Sequence, residues 1–336
     1  MRRVLHILPH RGGGAEIWID TLEGGRYAHE RAALSTSRAW YLAAPSIALA
    51  VPAIARRARQ FDLVQAHGDV AAILALPVLR SRPSVWTPAG LHLLRRAQGT
   101  RAGLVHAGLR RVIAVTGRVV CSQTEADDLA PLAGGHGDKL LVVDNGVRLP
   151  PWPAPEERAR ARAELGLGDD DVVALYLGQL EERKDPLTPV RATEKVEGLT
   201  LLVAGDGPLR AELERHASGS IRVLGHRDPK PLLRAADLFV MPSWREGQSL
   251  AVLEAMANGL AMVVSDGAGN PEAVGEAGVI VPVGDVGAWT RRLTQLVSDA
   301  AERSRLQQAA RRRAEERFSA ERFRRDFEAI YDEVLA

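Results

Sequence analysis

Cysteine is nearly absent from this chain of 336 residues: Cys121 is the only one, so no intrachain disulfide can form. That excludes a disulfide-stapled fold and fits a reducing compartment. Lysine is scarce as well, with only Lys139, Lys184, Lys195 and Lys230 among the 44 basic residues. The 42 acidic residues nearly balance them, leaving a net charge of +2, and aromatics make up only 4%. A nucleic-acid binder is expected to carry a basic excess and clustered stacking aromatics, so nucleic acid is a poor fit. Long apolar runs are missing too. The longest, Tyr41 to Ala55, contains Pro45 and Pro52 and falls short of the roughly 20 residues that span a bilayer. Arg2 and Arg3 precede Val4 to Pro9, a stretch shorter than a signal-peptide core of about 7–15 residues. The expectation is a cytoplasmic protein.

What is present is an ordinary apolar content, 46%, in a chain long enough for two domains. Short apolar strands alternate with helical segments. In the first half these are Val4–Leu8, Asp62–Ala66, Ser84–Trp86 and Val119–Ser122, with helices over Ala15–Leu22 and Val70–Leu79. Leu149-Pro-Pro-Trp-Pro-Ala-Pro155 holds four prolines in seven residues, a stiff extended segment that marks a boundary. After the helix Glu156–Leu165, strands follow at Val172–Leu177, Thr200–Ala204, Ile221–Leu224, Leu238–Met241, Ala261–Ser265 and Gly278–Val281. Helix closes the chain from Gly287 onward. Such alternation predicts an α/β protein of two doubly wound, Rossmann-like domains facing across a cleft, residues 1–150 and 151–318. In these folds ligands bind beyond the carboxyl ends of the strands, so the loops after strands are where chemistry is expected.

Gly12-Gly13-Gly14 follows the first strand and opens a helix. It reads either as a plain tight turn or as a phosphate contact, in which Gly13 and Gly14 admit an anion to the backbone. The second half is more specific. Leu177-Gly178-Gln179 ends a strand, with the cation Lys184 on the loop that follows. Gly205-Asp-Gly-Pro-Leu-Arg210 follows the next strand. Then Pro242-Ser-Trp-Arg-Glu-Gly-Gln-Ser-Leu-Ala-Val-Leu-Glu-Ala-Met-Ala-Asn-Gly259 carries Glu246 in a loop and Glu254 eight residues later in a helix. Taken alone, two acids at a solvated helix start give the same pattern.

Together these motifs resemble the two-Rossmann-domain (GT-B) glycosyltransferases, specifically the large retaining family 4 group. The resemblance is densest from Val172 to Asp285. It implies a retaining hexosyl transfer from a UDP- or GDP-sugar to a hydroxyl acceptor such as a bacterial glycan or a lipid-linked glycan. The donor is held mainly by the second domain, the acceptor by the first, and residues 319–336 form a helix that packs back on the first domain. Glu254 is then expected to bind the ribose hydroxyls and Glu246 those of the donor sugar. The amides around Gly247, Gln248, Ser249 and Leu250 hold sugar and diphosphate, and Lys184 neutralises the leaving group. His226 and Arg227 are candidates for setting base choice. The resemblance implies no metal and no other cofactor; no Asp-x-Asp lies in a suitable loop, and the histidines show no ligand grouping.

In the first domain, Asp62-Leu-Val-Gln-Ala-His67-Gly resembles the family's strand ending in His-Gly, which makes His67 a cleft residue and a catalytic candidate; a plain strand-end histidine is the alternative. Two departures stand out. The family commonly has histidine before the glycine of Thr87-Pro-Ala-Gly90, where this chain has Ala89, with His92 three residues on. It also commonly has arginine where Gln179 stands. Both leave room for a nucleotide-sugar-binding protein impaired in catalysis; a nucleotide-sugar epimerase of similar architecture is a separate alternative. Finally, the helical region Leu93–Val112 carries Arg95, Arg96, Arg101, Arg110 and Arg111. It reads as an ordinary surface helix or as a peripheral contact with anionic membrane.

Overall fold

The computed structural model describes residues 1–11, 14–35 and 44–336, with side chains from residue 50 in the last stretch. Among the described residues the chain divides into two units, Met1–Gly146 with Ala320–Ala336, and Val147–Ser319. The boundary expected at 150/151 thus falls at Gly146/Val147, just before the proline run. Each unit carries one six-stranded sheet, and every strand pairing in both is parallel.

The first sheet comprises β1 (Arg2–His10), β2 (Tyr27–Ser35), β3 (Leu63–His67), β4 (Ser84–Thr87), β5 (Arg118–Cys121) and β6 (Leu140–Val142) in the order β2-β1-β3-β4-β5-β6. The second comprises β7 (Val172–Leu177), β8 (Leu199–Ala204), β9 (Ile221–Gly225), β10 (Leu238–Met241), β11 (Ala261–Ser265) and β12 (Gly278–Val281) in the order β12-β11-β10-β7-β8-β9. The strand order reverses between β1 and β3 in one sheet and between β7 and β10 in the other. At such points the connections run to opposite sides, which leaves a crevice beyond the strand ends.

The second sheet shows why its strands read as continuous apolar runs. Val173, Leu175, Leu202, Phe239, Met241, Met262 and Val264 enter one buried cluster, while Ala174, Tyr176, Leu201, Val203, Leu238, Val240 and Val263 enter another. Alternate residues point to opposite faces, and helices cover both, so the central strands are largely apolar on both faces, with Ser265 of β11 a buried polar exception. The first sheet is different. Leu5, Ile7, Val64 and Ala66 supply an apolar face, but their alternates His6, Gln65 and His67 are polar and just as buried. This polar face lies beneath the helices Gly14–Asp20 and Ala320–Leu335. Phe323, Phe327 and Tyr331 of the second helix pack there against Trp18 and Tyr27, and Tyr331 donates to Gln65 Oε1 at 2.5 Å.

Three expectations need correction. Strands β2 and β6 were not foreseen, because Tyr27–Ser35 mixes charge with apolar residues at a sheet edge and Leu140–Val142 is only three residues long. The helix expected over Val70–Leu79 is two, Asp69–Leu74 and Leu76–Ser81, broken at Ala75 before Pro77. Likewise Leu93–Val112 is split into His92–Arg96 and Gly99–Val115, separated by Ala97 and Gln98, with Gly99 at φ +57° opening the second. Among the described residues no helix is long and apolar enough to cross a membrane.

The aromatic cover on the first sheet generates a stability prediction. Phe327 is 1% exposed and touches Trp18, Phe323 and Tyr331. Phe327→Ala should cost about 3–5 kcal/mol in urea unfolding, as expected of a large core aromatic removed from a site that cannot collapse. A loss below about 1 kcal/mol would show that the helix Ala320–Leu335 is not held through this cluster.

Candidate functional site

The switch point of the second sheet brings together the loops after β7 and β10. From the first, Lys184 Nζ donates to Glu246 Oε1 of the second at 2.5 Å, and both side chains are largely buried. Two chain segments 62 residues apart are thereby joined through opposite charges. Burial pushes the Glu246 carboxyl up, but Lys184, Arg183 and a hydrogen bond from Ser243 outweigh it and leave it below the usual carboxylate range.

The backbone around this pair is fitted closely. Trp244 N donates to Arg183 O at 3.0 Å, and Tyr176 Oη donates to Gln179 O at 2.8 Å. A Cβ at Gly205 would stand 1.8 Å from Gly178 O, and one at Gly207 2.5 Å from Leu180 O, so the loops after β7 and β8 approach as only glycine allows. The loop after β11 supports the other side. Glu246 N donates to Ala268 O at 2.7 Å, and a Cβ at Gly269, where φ is +90°, would meet Gly247 O at 2.5 Å. Asn270 Nδ2 donates to Ser243 Oγ at 3.1 Å and to Ser265 Oγ at 2.8 Å, while Ser265 Oγ donates to Ser243 O at 2.5 Å. Ser243, Ser265, Gly269 and Asn270 position the Glu246 loop and were not among the expected site residues. Gly267-Ala-Gly269-Asn270 after β11 was the available signal, since it is a further glycine-rich loop at a strand's carboxyl end.

Glu246 and Gly247 lead into the helix Leu250–Ala257 through Gln248 and Ser249. Ser249 occupies the N-cap position without a side-chain capping bond, so the first amides of this eight-residue helix remain free to meet an anion. Glu254 lies within the helix. Burial alone pushes its carboxyl up, and among the described residues no group donates to it. Gly178 is half-buried and Gln179 exposed beside the same loop. His226 and Arg227 do not join this group: they are exposed at the end of β9, the sheet's edge strand, where Arg227 Nε donates to Leu224 O at 3.3 Å.

In the first unit, the expected Gly13 lies outside the described residues, and Gly14 is exposed at the start of its helix. His67 is 1% exposed at the carboxyl end of β3. The edge of the Trp18 ring covers it at 4.9 Å between centroids, and the Trp18 indole donates to Asn145 Oδ1 at 2.9 Å. The histidines prove to be grouped after all: His67 Nε2 lies 2.8 Å from His6 Nδ1, and His6 Nε2 lies 2.8 Å from His29 Nδ1. Strand parity was the sequence signal, because His6 and His67 sit on adjacent strands facing the same side. The nitrogens face one another in pairs, and among the described residues no three His, Cys, Asp or Glu side chains are arranged to hold a metal. Ala89 lies on the turn after β4 in which Ala89, Gly90 and Leu91 all have positive φ, and His92 opens the short helix that follows.

The buried pair gives a second prediction. Lys184→Met leaves Glu246 buried without its main counter-charge and should cost about 3–5 kcal/mol at pH 7. The wild-type pair contributes above the ordinary carboxyl value of 4.5 and loses that contribution as pH falls through the lowered folded value. In the variant, burial raises the Glu246 pKa, so its deficit should shrink between pH 7 and pH 4. Urea unfolding at both pH values measures this; an equal deficit at both would refute the coupling.

The family model for group 1 glycosyl transferases matches residues 171–299, and that for glycosyltransferase family 4 matches residues 11–149. The D-inositol 3-phosphate glycosyltransferase of Salinispora tropica is 33% identical over 259 residues, covering 68% of this chain and 53% of the relative. The enzyme of that name from Mycobacterium tuberculosis is 33% identical over 194 residues, 53% of this chain and 40% of the relative. The chain therefore spans about half the length of the curated relatives it matches. Among solved structures, Anabaena HepE in complex with UDP-glucose superposes with a TM-score of 0.83 at 18% identity, covering 99% of this chain and 100% of that one. Sucrose-phosphate synthase from Thermosynechococcus elongatus gives 0.81 at 18% identity, with 99% of each chain covered. With one family model over each sheet-bearing unit and this shared two-unit architecture, the chain belongs to the group 1, family 4 glycosyltransferases of the GT-B fold.

Proposed function

We propose that the chain is a retaining hexosyltransferase that uses a nucleotide-diphosphate sugar, with UDP the favoured nucleotide, and a hydroxyl acceptor on a bacterial glycan or glycolipid. One observation carries it: the Lys184–Glu246 pair stands at a topological switch point beside an uncapped helix N-terminus and the unpartnered carboxylate of Glu254. Each part matches a part of the donor. An ammonium has three donors and gives one to Glu246, leaving two for phosphate oxygens. The free helix amides suit the same diphosphate. Glu254, acceptor-only when ionised, suits a pair of ribose hydroxyls, and Glu246 the hydroxyls of the sugar. Support for UDP comes from HepE, which was solved with UDP-glucose.

In the transfer, the bond from the sugar's anomeric carbon to the phosphate oxygen breaks as the acceptor oxygen bonds to that carbon on the same face. The acceptor proton passes to the departing phosphate. Charge grows on the diphosphate, and Lys184 with the helix amides meets it in place, so the stabilisation is largest in the transition state. These groups do this work without a metal. The helix Gly99–Val115 exposes Leu104 among Arg101, Arg110 and Arg111, which supports a peripheral contact with anionic lipid during synthesis on a lipid-linked acceptor.

One observation favours a second reading, binding without efficient turnover: Ala89 offers only a methyl group where the family pattern has an imidazole. Two measurements decide. Calorimetric titration with UDP and GDP should show Glu254→Ala about 10- to 100-fold weaker, the equivalent of one or two charge-assisted hydrogen bonds. Unchanged affinity would remove the donor-site assignment. Ala89→His should raise turnover of UDP-sugar on a screened acceptor at least tenfold if the imidazole is the missing part, and equal turnover would leave the alanine without consequence.

A further inference from the structure

Among the described residues two tryptophans are exposed, Trp152 at 51% and Trp244 at 57%. Packing accounts for the first. Its ring lies so close to the Gly259 backbone that a Cβ there would stand 2.4 Å from it, and the Arg311 guanidinium lies 5.7 Å from the ring centroid. Trp244 has no such cover: among the described residues no aromatic ring or cation stacks on it.

Yet this indole is held from several sides. Before it, Ser265 Oγ and Asn270 Nδ2 both donate to Ser243 O, and after it Glu246 N donates to Ala268 O at 2.7 Å. Trp244 N itself donates to Arg183 O at 3.0 Å, and a Cβ at Gly267 would stand 2.6 Å from Trp244 O, so the loops after β7 and β11 close on its main chain. At the ring, Trp244 Nε1 donates to Asp185 Oδ2 at 3.4 Å. Asp185 is fixed in turn: it sits in the left-handed region at φ +47° and accepts from Thr188 Oγ1 at 2.7 Å. The indole's single donor is thereby engaged within the protein, and what the ring offers outward is carbon. A side chain with few torsions, anchored at its backbone and its ring edge, has little rotamer freedom left to lose on binding.

Its place decides what would cover it. Trp244 precedes Glu246 on the loop after β10, and its ring edge meets Asp185, the residue after Lys184, so it flanks the buried ion pair across the same two loops. Apolar carbon beside Asp185, Lys184 and Glu246 asks for a ligand that is both apolar and hydroxylated. A pyranose is both: one face of its ring is C–H, suited to the negative face of an indole, and its rim is hydroxyl, suited to charged side chains. We propose that Trp244 is a stacking platform for the C–H face of a pyranose ring. That the pyranose belongs to the transfer, as the acceptor glycan or as the donor's sugar, rests on the function proposed above; the platform itself does not.

The test is NMR of ¹⁵N-tryptophan-labelled full-length protein, in which each indole N–H gives one signal and Trp244→Phe assigns that of Trp244. Titration with methyl β-glucoside, methyl β-galactoside and methyl α-mannoside should shift the Trp244 signal and leave that of Trp152. At least one glycoside should show the C–H protons of one ring face moved upfield by the indole ring current. Trp244→Ala should abolish that upfield movement and weaken the glycoside about three- to tenfold, the loss of one aromatic contact, while Trp244→Phe keeps most of the affinity and Trp152→Ala all of it. No response at Trp244 to any of the three glycosides, or an alanine variant that binds them equally well, overturns the proposal. The wild-type titration decides even if a variant does not fold. Calorimetry with UDP and UDP-glucose separates the sources. If Trp244→Ala weakens UDP-glucose and leaves UDP unchanged, the pyranose is the donor's; if it leaves both unchanged, the platform takes the acceptor's. Equal weakening of UDP places the base on the ring instead and overturns the proposal. A wild type that binds glycosides but neither nucleotide removes the donor reading and keeps the platform.

Discussion

A charged carboxylate enclosed in protein needs a counter-charge or hydrogen-bond donors, and the arrangement of the second unit follows from how Glu246 meets that demand. Lys184 can reach it only because β7 and β10 are neighbours at the reversal of strand order, where the loops after both strands leave the sheet side by side. The glycine-bearing loops after β8 and β11 then close on these two from either side, at distances no side chain would permit. The pair is thus the point on which four loops converge. Under the function proposed above it is also the feature a donor diphosphate would engage, since an anion near Lys184 shares the counter-charge that serves Glu246.

The first unit solves a different problem. One face of its sheet is conventionally apolar, but the other carries His6, Gln65, His67 and Thr87 in full burial. Polar groups are tolerated there because each finds a partner: Gln65 donates to Thr87 Oγ1 at 2.7 Å and accepts from Tyr331, and the imidazoles satisfy one another. The terminal helix is what closes this face, through Phe323, Phe327 and Tyr331. A segment at the far end of the sequence therefore completes the environment of residues on the first strand, and a polar network placed beneath it becomes specific to one packing.

Much of this was legible in the sequence, and the reasons differ by element. The strands β7, β10 and β11 were read to the residue because both their faces are buried, which writes them as apolar runs between turns; β12, a half-exposed edge strand, was legible from the apolar run Val279–Val281 before Pro282. Lys184, Glu246, Gly247 and Glu254 were legible because loops at strand ends carry chemistry in short, local motifs. β2 was not, since an edge strand with His29, Glu30 and Arg31 has no apolar period to detect. Asn270, Ser265 and the histidine trio were missed for a common reason: each acts through a contact made across strands, and spacing along the chain says nothing of it until the strand order is known. The breaks in the helices after Leu74 and Arg96 were marked only by Pro77 and Gly99 within otherwise helix-favouring stretches.

The turn after β4 shows the same principle from the side of strain. Ala89, Gly90 and Leu91 hold φ values of +50°, +102° and +48°, and for the two non-glycine residues such backbone costs on the order of 1 kcal/mol each. Local preference would not maintain it. Buried carboxylates from elsewhere do: Glu125 accepts from Gly90 N at 2.5 Å, and Asp69 accepts from Leu93 N at 2.6 Å and Leu94 N at 3.0 Å. Arg95, fixed by Asp128, donates to Gly90 O at 2.9 Å. The left-handed geometry at position 89 is therefore imposed by the surrounding structure rather than chosen by its side chain. Histidine enters that region more readily than alanine does. Alanine thus occupies a left-handed position that the surrounding scaffold maintains, so the side chain at this turn and the turn's folding are separable properties of the chain.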